Sequence, residues 1–129
     1  MKLIVIGGGR IGYNLVKTLN KKGFHTTLVE SNKTVCEDIA EAMSIDIIWG
    51  DGTNYNVLKD AGAEKAETVI AVTGSDNVNF MVCQIAKTYF NVINTIARVD
   101  NPTNAVLYKA LGVDQTISVT EDILNLIMK

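Results

Sequence analysis

The chain has 129 residues, 47% of them hydrophobic and 20% charged, a length sized for one domain and a composition that argues against disorder. No apolar run approaches the roughly 18 residues of a membrane-spanning helix, and Lys2 leads into a short apolar stretch and then glycines, without the hydrophobic region of a secretory leader. A formal net charge of -2, with no basic cluster longer than Lys21-Lys22, gives no general attraction to nucleic acid, so a cytoplasmic protein without a nucleic-acid partner is expected.

Apolar runs and helix-period segments then alternate along the chain. The first strand, predicted over 2–6, is continuously apolar, as a strand covered on both faces should be. It runs into Gly7-Gly8-Gly9-Arg10-Ile11-Gly12, where Gly7, Gly9 and Gly12 have the G-x-G-x-x-G spacing. One glycine serves the tight turn, one the close approach of a pyrophosphate, and one the packing of helix on strand. The helix predicted over 11–22 puts Ile11, Leu15 and Leu19 on one face with Val16 beside them, and Gly23 ends it. Its first turn offers free backbone N–H groups to an anion. Arg10 opposes the helix dipole there unless a phosphate is nearby; a solvated arginine is the other reading.

A second strand, 25–30, ends in Glu30, 18 residues beyond Gly12, where a carboxylate can accept from ribose hydroxyls. Its charge would repel a 2′-phosphate, which favours NAD or an adenine nucleotide over NADP. Helices follow near 33–43, 54–61, 77–90 and 103–111, alternating with strands near 46–49, 68–72, 94–98 and 115–119. Asn101 can cap the fifth helix with Pro102 in its first position. The pattern predicts an α/β, Rossmann-like, doubly wound sheet of six parallel strands in three layers.

Ligands of such sheets bind beyond the carboxyl ends of the strands, and short polar residues gather there: Glu30 and Ser31, Gly50-Asp51-Gly52-Thr53, Thr73-Gly74-Ser75-Asp76, and Arg98 with Asp100. Asp51-Gly52-Thr53 reads equally well as a turn with Thr53 capping the third helix. Thr120 is the expected cap of a last helix whose first turn carries Glu121-Asp122 and whose remainder includes Ile123, Leu124, Leu126, Ile127 and Met128. So many apolar residues cannot all pack on one sheet, so this helix is expected to dock on another subunit or lead into more chain. Cys36 and Cys83 lack metal-ligand partners in sequence and are expected reduced and half-buried, while His25, the only histidine, is expected at the surface.

The same residues resemble, along the whole chain, the RCK N-terminal (KTN) nucleotide-binding domain of potassium transport regulators of the TrkA and KtrA type. The stretches that carry the resemblance are Val5–Gly12, Leu28-Val29-Glu30, Gly50–Thr53, Val69–Gly74, Ile96-Ala97-Arg98 and Leu111–Asp114. The resemblance implies that Gly7, Gly8, Gly9, Arg10 and Ile11 hold phosphates, Glu30 the ribose, and Thr73, Gly74 and Arg98 approach the nucleotide. Gly12, Ser31, Asp51, Gly52 and Thr53 complete the candidate set. Arg10 is similar to an arginine that contacts terminal phosphates of ATP in some members, and Glu121 to an acid that helps bind a cation between subunits.

Residues 1–119 would then be the nucleotide-binding domain and 120–129 the start of a crossover, dimerising helix. The implied protein is a non-enzymatic cytoplasmic regulator that binds NAD(H), ATP, ADP or AMP. It would be a homo-oligomer, a dimer or an assembly of dimers, held at the inner membrane face by a potassium transporter subunit. The alternative is the cofactor-binding domain of an NAD-dependent oxidoreductase, which shares the glycine fingerprint but would need a substrate site and a base.

Overall fold

A computed structural model describes residues 1–129. In chain order the elements are β1 (Lys2–Ile6), α1 (Arg10–Lys21), β2 (His25–Glu30), α2 (Lys33–Ala42), β3 (Asp46–Trp49), α3 (Tyr55–Asp60) and a 3-10 turn (Ala63–Lys65). Then come β4 (Thr68–Ala71), α4 (Asp76–Phe90), β5 (Asn94–Arg98), α5 (Pro102–Ala110), β6 (Gln115–Ile117) and α6 (Val119–Ile127). All six strands are parallel, in the order β3-β2-β1-β4-β5-β6. The direction of winding reverses between β1 and β4, which places a crevice above their carboxyl ends.

Strand alternation divides the core in two. Ile4 and Ile6 face α3, α4 and α5, packing with Leu58, Val69, Ala71, Val82 and Ala86. Val5 and Leu28 face α1 and α2, packing with Val16 and Ile39. Helices therefore cover both faces, as the expected three-layer architecture requires. No helix is long and apolar enough to cross a membrane.

The apolar face of α1 is as expected: Ile11 and Leu15 line one groove with Ile70, Val72 and Ile96, Leu15 and Leu19 are half-buried, Val16 is buried, and Ile11, at the open end, is 43% exposed. Three expectations need correction. Cys36 and Cys83 are buried, not half-buried. Their Sγ atoms approach the carbonyls of Glu30 and Ile96, and burial pushes the Cys83 thiol up to about 12, the nearby charge of Asp114 adding to the effect. Ser118, not Thr120, caps α6: its hydroxyl accepts from the Glu121 amide at 3.2 Å. Ser118-Val119-Thr120-Glu121 carries a capping-box spacing that outcompetes Thr120 and ends β6 at Ile117. Thr53 does not cap α3; Asn54 does, accepting from the amides of Asn56 and Val57.

No residue of α6 is buried, and Ile123, Leu124, Leu126, Ile127 and Met128 are 46% to 79% exposed. Beside its start lies an open apolar groove of about 260 Å³, lined by Ile11, Leu15, Ile70, Val72, Ile96 and Ile117, with Arg98 at its rim.

Candidate nucleotide-binding site

Two adjoining cavities, each about 410 Å³, fill the crevice at the switch point and share Gly7, Glu30, Ser31, Thr73 and Gly74. The first continues over Ile6, Val29, Asp51, Gly52 and Val78, and the second over Gly9, Arg10, Ile11 and Arg98. An apolar floor with polar walls suits an adenosine, and two guanidinium groups beside a helix start suit phosphates.

The glycine loop is built by contacts a side chain would break. Gly7 has φ +108°, and a Cβ there would lie 3.0 Å from the Thr73 amide nitrogen, so the turn sits directly on the end of β4. At Gly12 a Cβ would fall 1.7 Å from the Gly7 carbonyl oxygen. Gly9 is different, because a Cβ there meets nothing within 4 Å. Gly9 lines the second cavity.

Helix capping sharpens the contrast. Asn32, Asn54, Ser75, Asn101 and Ser118 each cap their helix through the side chain. Only α1 starts without such a cap and without an acid in its first turn. The residues of that start, Gly9, Arg10 and Ile11, line the cavity that Arg98 also borders, and leave amides without helical partners beside it.

Glu30 is fixed by two backbone donors: the Gly8 amide reaches Oε1 and the Asn32 amide reaches Oε2, both at 2.7 Å. Each oxygen keeps acceptor capacity for a hydroxyl. Asp51 Oδ1 accepts from the Thr53 amide and hydroxyl, both at 2.8 Å, and these bonds hold its carboxyl below the usual range. Thus Gly8, Gly12 and Thr53 line neither cavity and instead support residues that do. Arg98 lies over the second cavity with its Nε donating to Asp100 Oδ1 at 3.2 Å. Glu121 lies away from the crevice on α6, and no group of three His, Cys, Asp or Glu side chains converges to hold a metal.

Asn79 escaped the sequence reading. It is fully buried in α4, and its side chain accepts from the Thr73 amide (3.0 Å) and hydroxyl (2.6 Å) while donating to the carbonyls of Thr73 (3.1 Å) and Arg98 (2.8 Å). It ties the β4 loop to the end of β5, and so joins two walls of the cleft. Asp76 does the same one turn earlier. Burial opposes its charge, but the amides of Asp100 and Asn101, the Asn104 side chain and the nearby Arg98 outweigh burial and lower its carboxyl. A signal for Asn79 existed: an amide in register with the apolar stripe Val82, Cys83, Ala86 and Phe90 is a polar residue facing a core.

A doubly wound sheet with a glycine loop, an uncapped first helix and an acid at the end of β2 defines a Rossmann-like domain of the nucleotide-binding class. The family described as the TrkA-N domain matches residues 3–119, and the chain belongs to that family. A Trk system potassium uptake protein TrkA homolog from Methanothermobacter thermautotrophicus is 34% identical over 118 residues, covering 92% of this chain and 54% of that protein. The chain therefore spans about half the length of this relative. Among solved structures, the TrkA-N domain of the inner membrane protein ybaL from Escherichia coli superposes with a TM-score of 0.89 at 18% identity, over 98% of this chain and 93% of that one. The GsuK channel bound to NAD superposes with a TM-score of 0.81 at 22% identity, over 90% of this chain and 21% of that one. The same channel bound to ADP gives 0.81 at 24% identity, over 98% and 32%.

Proposed function

We propose that this domain is a regulatory nucleotide sensor: it binds NAD(H) or an adenine nucleotide (ATP, ADP or AMP) in the crevice between β1 and β4. Binding changes how paired copies are arranged, and that change gates a membrane potassium transporter. What carries the reading is the bare start of α1, facing two arginines on one side and a doubly anchored Glu30 on the other. The TrkA-N membership and the NAD- and ADP-bound GsuK channel support it. Gly7, Gly9, Arg10, Ile11 and Arg98 hold phosphates; Glu30 and Ser31 hold the ribose; Asp51, Gly52, Thr73 and Gly74 border the base. Gly8, Gly12 and Thr53 shape the loops. The protein works at the cytoplasmic membrane face through its transporter partner.

No bond need be made or broken. A ligand shifts an assembly only through different affinities for its two arrangements, and a coupling of ~1–3 kcal/mol gives a several-fold to hundred-fold response. The exposed apolar face of α6 and the open groove beside it are the surfaces for a second copy, which makes the assembly a dimer or a set of dimers. Glu121 enters as a cation ligand only at a site shared between copies.

Titration with NADH, NAD, ATP, ADP and AMP while following thermal stability tests the reading. A ligand at a hundred times its Kd stabilises the fold by about 2.7 kcal/mol. Glu30→Ala removes the ribose acceptor and is expected to weaken every one of these ligands by about 10- to 100-fold, as loss of charged hydrogen bonds does. Arg10→Ala is expected to weaken ATP more than AMP; equal losses would remove Arg10 from the terminal phosphates. If none of the five ligands raises the melting temperature, the proposal fails. NADH-dependent turnover of small carbonyl compounds would favour the oxidoreductase instead.

A further inference from the structure

Trp49 has no place in the glycine fingerprint, yet it sits beside the acid on which nucleotide choice depends. It ends β3 directly across from Glu30 in the strand register. The residue is 61% exposed, so burial contributes little at this position. Its polar edge is engaged: Nε1 donates to the Ser31 carbonyl at 3.0 Å. Ser31 and Asn32 form the turn out of β2, and the Asn32 amide is one of the two donors that hold Glu30. Asn32 also starts α2, its side chain accepting from the Val35 amide at 3.1 Å. The indole thus pins a turn whose next residue orients the carboxylate.

The ring has a second contact. The Lys33 ammonium lies 5.4 Å from its centroid, a cation–π arrangement above a hollow of about 290 Å³ floored by Cys36, Ala40 and Ile47. Lys33 is two residues from Ser31, and the ring keeps this cation at the edge of the sheet. Without the ring, an ammonium is free to move towards an anionic substituent on the ribose.

We propose that Trp49 is a positioning residue for nucleotide selectivity, pinning the Ser31–Asn32 turn so that Glu30 stays aimed at a free ribose diol, and holding Lys33 aside. A nucleotide carrying a 2′-phosphate then meets a fixed carboxylate, with the Lys33 ammonium held away from it. This deepens the nucleotide-binding reading and rests on it.

Two variants separate the contacts. Trp49→Phe keeps an aromatic face for Lys33 and removes the N–H; Trp49→Leu removes both. Because the residue is exposed, both variants should fold, and their melting temperatures verify it. Kd values are measured by calorimetry for NADH against NADPH and for AMP against adenosine 2′,5′-bisphosphate. In Trp49→Phe the preference for the unphosphorylated ribose is expected to narrow by about 2- to 10-fold, the equivalent of one net hydrogen bond. Trp49→Leu should narrow it further, chiefly by tighter binding of the 2′-phosphorylated partner. A general loosening of the fold would weaken all four ligands alike and leave the ratios unchanged. Unchanged ratios in both variants would overturn the role of Trp49 while leaving the nucleotide site intact. A wild-type protein that binds none of the four overturns the nucleotide reading itself.

Discussion

Alanine at Gly12 is expected to collapse the fold, whereas alanine at Gly9, three residues away, should leave it standing and remove the ligand. At Gly12 the new Cβ would lie 1.7 Å from the carbonyl oxygen of Gly7 and 2.8 Å from its carbonyl carbon. Both are backbone atoms, so no side chain can swing aside. Relief requires α1 to lift from β1 or the loop to abandon its turn, and either breaks the packing of Val16 against Val5 and Leu28. A cost above about 4 kcal/mol follows, at the severe end for single substitutions. At this chain length that is a fall of roughly 15 °C or more in melting temperature. At Gly9 nothing lies within 4 Å, so thermal denaturation should stay within a few degrees of the parent. Calorimetry should show at least about a tenfold loss of nucleotide affinity, because the methyl group stands where a phosphate must approach the backbone. A Gly12→Ala protein as stable as the parent would contradict the geometry; a Gly9→Ala protein with full affinity would move the phosphates elsewhere.

The next largest effect is expected at Asn79. Its four hydrogen bonds use both donors and both acceptor positions of one amide, in a side chain with no exposed surface. Asn79→Ala takes this partner from the amide and carbonyl of Thr73 and the carbonyl of Arg98, groups part-buried at the foot of the crevice. Unpaired buried groups cost about 1–3 kcal/mol each, and partial relaxation should bring the total to about 3 kcal/mol. A urea titration should show an earlier midpoint with an unchanged slope. In conditions where the variant stays folded, ADP should lose more affinity than adenosine, because Arg98, whose carbonyl is released, lines only the cavity assigned to the phosphates, whereas Thr73 lines both cavities. An equal loss for both would reduce Asn79 to a stabilising residue.

Most of the architecture was legible because it rests on short-range signals. Continuous apolar strands, glycine turns and helix-period segments place all six strands, and the acid ending the second strand identifies which carboxylate faces the glycine loop. The misses have local or pairwise causes. Thr120 and Ser118 both suit a cap, and only the spacing to Glu121 decides between them. Asn79 and Trp49 act on partners across strand order, through Arg98 and Ser31, and no window along the chain brings those residues together.

Arg98 belongs to two surfaces at once: it borders the phosphate cavity and stands at the rim of the apolar groove beside α6. Whatever repositions this guanidinium for one occupant is felt by the other. By reciprocity, a nucleotide that tightens or loosens self-association has its own affinity changed by the same factor when copies meet. Under the proposed function, the local concentration of copies therefore becomes an input of equal standing with the concentration of the nucleotide.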